Sequence, residues 1–211
     1  MTVKVFNSND MRQNVYLYFD ETNGEGVLID AGCSDADAKA LASFIEENNI
    51  AVKAILLTHG HYDHIIGAFK AKHLTDADIY CHEAEKDALE NAETNRSAIH
   101  GINIEVTPDK LLADGDKIKV GNAVLRVLHT PGHTPGCVCF YDEAHGNLFS
   151  GDTLFRETIG RTDFPSGSHE ELIRHLKAKL LTLPDDTRVY PGHGGSTSIG
   201  HEKKFNPFVN R

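Results

Sequence analysis

The chain has 211 residues, of which 40% are hydrophobic and 25% are charged, and its formal net charge at pH 7 is −10. This composition is ordinary for a soluble protein with a real core, and the acidic balance without a basic stripe argues against nucleic acid or an anionic membrane surface as a partner. No apolar run approaches the roughly 20 residues that span a bilayer. The N-terminus lacks the apolar segment of a signal peptide, so we expect a cytoplasmic location.

In the first half of the chain, short apolar segments bounded by turn residues predict strands at residues 3–7, 14–20, 26–30, 51–57 and 77–81. A helix capped by Ser34 or Asp35 is predicted between the third and fourth strands. After residue 64 the apolar residues recur at helical spacing, which predicts a helix there, and a further helix is predicted at 83–91. Residues 95–108 show weak periodicity and are predicted to form a loop.

In the second half, the pattern predicts strands at residues 115–120, 123–128, 137–141, 147–150 and 188–190. A helix over 168–181 begins with the capping box of Ser168 and Glu171, and a short segment at 199–208 ends the chain. Two groups of strands, each followed by helices, predict an α/β fold: a four-layer αββα sandwich of two mixed β-sheets flanked by helices. With no internal linker, residues 1–211 are predicted to form one domain.

The four cysteines form no C-x-x-C pair. Buried thiols in a reducing compartment are the expected state, rather than disulfides or a redox centre.

The segment Thr58-His59-Gly60-His61-Tyr62-Asp63-His64 holds three imidazoles and one carboxylate within six residues. It lies between a predicted buried strand and a predicted helix, and α/β folds collect ligands and metals at such places. The cluster cannot close a metal site alone, so further ligands must come from later in the chain.

Three later strands end in a metal-competent residue preceded by glycine: His133, Asp152 and His193. Seven candidate ligands exceed the four of one tetrahedral zinc ion, and therefore favour two metals that share a carboxylate. The first ion is assigned His59, His61 and His133, and the second is assigned Asp63, His64 and His193. Asp152 is predicted to bridge the two ions.

These four blocks, in this order and spacing, resemble the metallo-β-lactamase superfamily over nearly the whole chain, and the fold of that superfamily agrees with the predicted sandwich. Residues 153–163 and 202–208 resemble the glyoxalase II-like hydrolases, and most of all their short, single-domain bacterial type. Full-length glyoxalase II has a separate helical C-terminal domain that helps to hold glutathione. Because this sequence continues for only about 18 residues after His193, we expect no such domain here.

The resemblance implies a dinuclear metal-dependent hydrolase, with a metal-bridging hydroxide as the nucleophile. The expected substrate is a small-molecule thioester, S-D-lactoylglutathione or a related hydroxyacyl-thiol. Asp63 is expected to orient the hydroxide as well as to bind metal. Zinc is the first expectation for both ions, with iron or manganese as alternatives. Candidate partners for a substrate carboxylate are Arg156, Arg161 and Lys203.

Other functions of the superfamily give the alternatives. Flavo-diiron proteins carry glutamate at the position of His61, and B1 lactamases carry cysteine at that of Asp152, so neither oxygen reduction nor antibiotic hydrolysis is expected as the main task. The first alternative is a persulfide dioxygenase-like oxidoreductase with one iron held by two histidines and Asp152. Hydrolysis of another ester or phosphoester, or a metal-bound module without turnover, are the others.

Overall fold

The computed structural model describes residues 1–7, 12–33 and 35–209. Two six-stranded β-sheets pack face to face, and helices cover their outer faces. This arrangement confirms the predicted αββα sandwich. Ser34, one of the two predicted helix caps, lies outside the described residues.

The first sheet contains β1 (Thr2–Asn7), β2 (Asn14–Phe19), β3 (Glu25–Ile29), β4 (Ala51–Leu56), β5 (Asp78–His82) and β6 (Lys110–Leu112), in that order. Strands β1 to β3 are antiparallel, whereas β3 to β6 are parallel, so the sheet is mixed. Strand β2 is buried along its whole length because the sheet is covered on both faces, which explains its continuous apolar sequence.

The rest of the strands are β7 (Lys117–Val120), β8 (Ala123–His129), β9 (Val138–Asp142), β10 (Asn147–Gly151), β11 (Leu154–Phe155), β12 (Thr158–Ile159), β13 (Arg188–Pro191) and β14 (Thr197–Ser198). The second sheet has the order β14-β13-β10-β9-β8-β7, and β11 pairs with β12 in a small separate sheet. Strands β10 and β13 are parallel, and the other pairs of the second sheet are antiparallel.

The helices are α1 (Asp35–Glu47), α2 (Tyr62–Ile65), α3 (Ala68–Thr75), α4 (Lys86–Leu89), α5 (His169–His175) and α6 (Ile199–Phe205). The predicted helix at 83–91 is wrong in length: a 3₁₀ turn over Glu83–Glu85 precedes the single helical turn of α4. The predicted helix at 168–181 begins as expected, with Ser168 Oγ accepting from the Glu171 N–H, but continues after α5 as the π-helical segment Leu176–Leu180.

Four strands were not predicted: β6, β11, β12 and β14. Each has only two or three residues, so none is long enough to show an alternating pattern. All four cysteines are free and buried, as expected from their apolar surroundings. Among the described residues, no helix has the length and apolar character needed to cross a bilayer.

Aromatic residues fill the core between the two sheets. The ring of Phe149 is fully buried and lies 5.2 Å from Tyr18, 5.5 Å from Tyr16 and 5.3 Å from Tyr190, measured between ring centroids. The aromatic ring therefore ties strand β10 of the second sheet to strand β2 of the first. Because Asp152 follows β10 directly, this packing also sets the position of that carboxylate.

We expect Phe149→Ala to lower the free energy of unfolding by about 3–5 kcal/mol, since it leaves a cavity among three aromatic rings. Urea denaturation followed by circular dichroism measures the change. Val124→Ala is the control, because the Val124 side chain is 45% exposed and should cost no more than about 0.5 kcal/mol. Similar losses in the two variants would contradict the assigned core.

Candidate metal centre

The seven predicted ligands meet at one end of the sandwich, around the carboxyl ends of four strands. His59 and His61 follow β4, Asp63 and His64 lie in α2, and His133 lies between β8 and β9. Asp152 follows β10, and His193 follows β13. Carboxyl ends of neighbouring parallel strands open onto the same edge of a sheet, which is why residues far apart in sequence converge here.

Among the described residues, three sets of three side chains bring their ligand atoms together, and two of these sets, the first and second groups, have no residue in common. Ligand atoms of the first group lie within 4.8 Å of one another, and so do those of the second. Their members are His59, His61 and His133 in the first group, and Asp63, His64 and His193 in the second. A further set, His59, His64 and Asp152, meets the same distance and takes one histidine from each group. The partition expected from the sequence therefore stays a prediction, as does the binding of ions by these residues.

Asp152 lies between the two groups. Its Oδ2 atom is 3.5 Å from His133 Nε2 and 3.8 Å from His193 Nε2, whereas its Oδ1 atom is 3.3 Å from His64 Nε2. One carboxylate oxygen therefore faces ring nitrogens of both groups, as a bridging ligand requires.

Three polar atoms at the centre are buried and have no hydrogen-bond partner in the described part of the chain: His59 Nε2, His64 Nε2 and Asp152 Oδ1. A buried polar group without a partner is costly, so such atoms point to a further ligand. Imidazole nitrogen and carboxylate oxygen form the donor set that zinc, iron and manganese accept in proteins. The residues therefore fit a metal centre.

Hydrogen bonds behind the rings decide which nitrogen faces the centre. His133 Nδ1 donates to the Arg161 carbonyl oxygen at 2.7 Å, and His64 Nδ1 donates to Asp30 Oδ2 at 2.8 Å. When either ring is neutral, this bond leaves its Nε2 atom with a lone pair, which is the form that binds a metal. His61 Nδ1 lies 2.9 Å from His133 Nε2, so these two nitrogens face a common point.

The charges of the site also favour metal binding. Burial lowers the pKa of His59 well below its usual value and lowers that of His61 to about 3, so both rings are neutral at pH 7. Burial alone would raise the pKa of Asp152, but the neighbouring His64 and His133 outweigh it and hold that pKa below its ordinary value. Burial alone would lower the pKa of His64, but Asp30, Asp152 and Asp63 outweigh it and raise that pKa well above its usual value. These carboxylates attract a cation, and a metal that binds His64 displaces its proton.

Two glycines let the carboxylate and the histidines approach closely. Gly151 has a φ of +46°, in the left-handed region, which turns the chain immediately before Asp152. A Cβ atom at Gly192 would lie 2.3 Å from Asp152 Oδ1 and 2.7 Å from His64 Cε1. Any larger residue at position 192 would therefore displace the carboxylate or the ring.

A cavity of about 490 Å³ opens onto the ligands. Apolar and aromatic residues form much of its wall, among them Tyr62, Ile99, Phe155 and Phe164. Arg96 and Arg161 also line it, and their guanidinium carbons lie 4.0 and 4.2 Å from the centroid of the Phe164 ring. The site is a largely apolar pocket with the candidate metal ligands at one side and two guanidinium groups at another.

Of the three arginine and lysine residues expected to meet a substrate carboxylate, the structure places only Arg161 in the cavity wall. Arg156 is 61% exposed and lies 3.9 Å from Glu157. Lys203 Nζ pairs with Asp185 at 2.6 Å and donates to the Leu183 carbonyl oxygen. Neither of these two side chains is among those that line the cavity.

Sequence reasoning missed two residues of the site, Asp30 and Arg96. Asp30 directly follows β3 and accepts hydrogen bonds from the N–H and hydroxyl of Thr58 as well as from His64. Its signal was a carboxylate directly after a buried strand, which is the feature that also marked Asp152. Arg96 falls in the segment predicted as loop, where no pattern separated it from a surface charge.

The sequence profile described as metallo-beta-lactamase superfamily matches residues 9–193. The chain belongs to the metallo-beta-lactamase superfamily. It is 35% identical to hydroxyacylglutathione hydrolase GloC of Haemophilus influenzae over 213 residues, which cover 100% of this chain and 99% of that protein.

Two crystal structures show the same superfamily fold over their full lengths. BLEG-1 B3 metallo-beta-lactamase is 35% identical, with a TM-score of 0.92 and complete coverage of both chains. TTHA1623 in a di-iron-bound form is 35% identical, with a TM-score of 0.84, and the match covers 98% of this chain and 100% of that one. These likenesses support the resemblance seen in the sequence motifs.

We expect Gly192→Ala to reduce the amount of bound zinc at least tenfold, because the added methyl group displaces Asp152 or His64. Elemental analysis after dialysis against limiting zinc measures it. Gly195→Ala is the matched control: a Cβ atom there has no heavy atom within 4 Å. Equal zinc content in the two variants would show that the close approach at position 192 is unimportant for metal binding.

Proposed function

We propose that the protein is a metal-dependent hydrolase with two divalent ions per chain, acting on S-D-lactoylglutathione or a related hydroxyacyl-thiol. The observation that carries the proposal is the pair of three-residue groups on either side of Asp152. The likeness to GloC, a hydroxyacylglutathione hydrolase, supports a thioester as the substrate.

Two such ions would lower the pKa of a bound water and polarise the substrate carbonyl. The chain's own groups supply position and charge. Asp152 holds the two groups of ligands at a short separation, and Asp63 Oδ2, 3.1 Å from His193 Nε2, is at the cavity wall. Asp63 is therefore placed to accept a hydrogen bond from the attacking water and orient it.

The cavity wall suits both the thioester group and the charged glutathione part of an acyl-glutathione. Aromatic rings of Tyr62, Phe155 and Phe164 exclude water around the scissile bond. The guanidinium groups of Arg96 and Arg161 are cations in a protein of net charge −10, so they single out this cavity for an anionic substrate. Glutathione carries carboxylates that such groups bind through charge-assisted hydrogen bonds.

Arg96 is the better placed of the two for this role. Arg161 already binds Asp163 through two hydrogen bonds of 2.7 Å, whereas Arg96 acts on the same carboxylate only through its charge. Its backbone is held against α2, because the Tyr62 N–H donates to the Asn95 carbonyl oxygen at 2.9 Å. The backbone beside Arg96 is therefore anchored near the ligand motif, and its guanidinium group lies over the Phe164 ring.

Hydrolysis of a β-lactam is the second candidate function, favoured by the likeness to BLEG-1. Asp152 argues only against a lactamase of the B1 group, which carries cysteine at this position, and not against other groups of lactamases. The persulfide dioxygenase alternative is less favoured. A single iron held by the other histidines and Asp152 would leave Asp63, His64 and His193 without a metal ion to bind.

The protein loaded with zinc should contain two ions per chain and release glutathione from S-D-lactoylglutathione. Elemental analysis gives the stoichiometry, and a thiol-reactive dye follows the product. A chromogenic β-lactam, assayed in parallel, tests the second candidate. Two bound zinc ions together with no thioester hydrolysis would overturn the proposed substrate class, and one iron with oxygen uptake on a persulfide would favour the dioxygenase.

We expect Arg96→Gln to raise KM for S-D-lactoylglutathione about tenfold with little change in kcat, because it removes one charge-assisted contact and keeps most of the side-chain length. KM for a neutral thioester of N-acetylcysteamine should change little. Arg156→Gln is the control, since Arg156 is exposed and outside the cavity. The same rise in KM for both substrates would contradict recognition of a carboxylate.

A further inference from the structure

A fourth carboxylate near the candidate ligands has no part in the mechanism above. Glu85 ends the 3₁₀ turn that follows β5, and its side chain is fully buried. It belongs to neither group of candidate ligands. A buried glutamate requires a specific set of partners, because an uncompensated charge in the interior is very costly.

Those partners are backbone groups of two ligand loops. Glu85 Oε2 accepts from the Gly60 N–H at 2.7 Å, and Glu85 Oε1 accepts from the Gly136 N–H at 2.7 Å. Each carboxylate oxygen therefore holds one loop, and the side chain joins the segment after β4 to the segment between β8 and β9.

The two glycines make room for this carboxylate. A Cβ atom at Gly60 would lie 3.0 Å from Glu85 Oε2, and a Cβ atom at Gly136 would lie 2.6 Å from Glu85 Cγ. Both values are closer than normal van der Waals contact. Neither glycine has a positive φ. The close approach of Glu85 and its neighbours, rather than the backbone conformation, therefore explains why glycine occupies positions 60 and 136.

We propose that Glu85 is a positioning residue for the first metal position alone, holding the loop of His59 and His61 against the loop of His133. This inference rests on the two-metal site of the proposed function. Gly60 lies directly between His59 and His61, and Gly136 lies three residues after His133. A shift of either loop would therefore separate the three nitrogens of the first group.

The second group is held by different contacts. His64 donates to Asp30, and the chain on both sides of His193 is held by Asn14, whose Nδ2 atom donates to the carbonyl oxygens of Pro191 and Gly194 at 3.0 and 2.9 Å. None of these contacts involves Glu85. Loss of its carboxylate should therefore weaken the first metal position much more than the second.

The test replaces one carboxylate oxygen by an amide NH₂. In Glu85→Gln this group faces a backbone N–H, so one of the two loops loses its acceptor. Zinc affinity is measured by competition with a chromophoric chelator, without substrate, in two backgrounds. His193→Ala weakens the second position and leaves the first to be measured, whereas His133→Ala does the reverse.

We expect Glu85→Gln to weaken zinc binding ten- to hundredfold in the His193→Ala background, as supporting residues of metal sites do. In the His133→Ala background the change should be less than about threefold. Equal weakening in both backgrounds, or none in the first, would overturn the inference. Glu83→Gln, an exposed glutamate of the same turn, is the matched control and should change neither affinity.

Metal-free circular dichroism and urea midpoints show whether the variants fold. If Glu85→Gln does not, Glu85→Asp takes its place: it keeps the charge but is too short to hold both loops. If neither variant folds, Glu85 is required for folding and the inference is wrong. Wild-type protein that binds fewer than two zinc ions would instead contradict the proposed function, so the two failures are distinct.

Discussion

The carboxylate of Asp152 is the constraint on which the site depends. It is buried and lies within 3.8 Å of ring nitrogens from three histidines that belong to three different segments of the chain. Three imidazole rings this close repel one another when all are protonated and gain little from the carboxylate when all are neutral, so the arrangement is costly without a cation between the donor atoms. The fold must therefore hold these groups in place at a cost, and the remainder of the sandwich provides that rigidity.

The two sheets provide it through their shared aromatic core. Phe149 in β10 packs against Tyr16 and Tyr18 in β2 and against Tyr190 in β13. Because Asp152 directly follows β10 and His193 lies two residues after the end of β13, packing in the core and geometry at the site are coupled. Buried polar groups then orient the rings one by one, with Asp30 behind His64 and a backbone carbonyl behind His133.

Much of the fold was predictable from residue patterns. Long apolar strands such as β2 and β8 were found where expected, because alternation and turn residues act locally. The short strands were not predicted, because two or three residues are too few to show an alternating pattern of apolar and polar side chains. After Ile65, α2 ends near Gly67, whose lack of a side chain allows close contact with the backbone of Ala31 and Cys33. Phe69, in α3, is therefore left 67% exposed despite its helical spacing.

By itself, the sequence determined which residues could bind metal. The histidines and aspartates of the motif are contiguous or follow glycine at strand ends, and donor chemistry belongs to the residue type. Only the tertiary structure decided what surrounds them. Glu85 meets Gly60 across 25 residues and Gly136 across 51, and Arg96 reaches the cavity through contacts of its loop with α2. Contacts between distant segments depend on how the layers pack, and no local pattern records them.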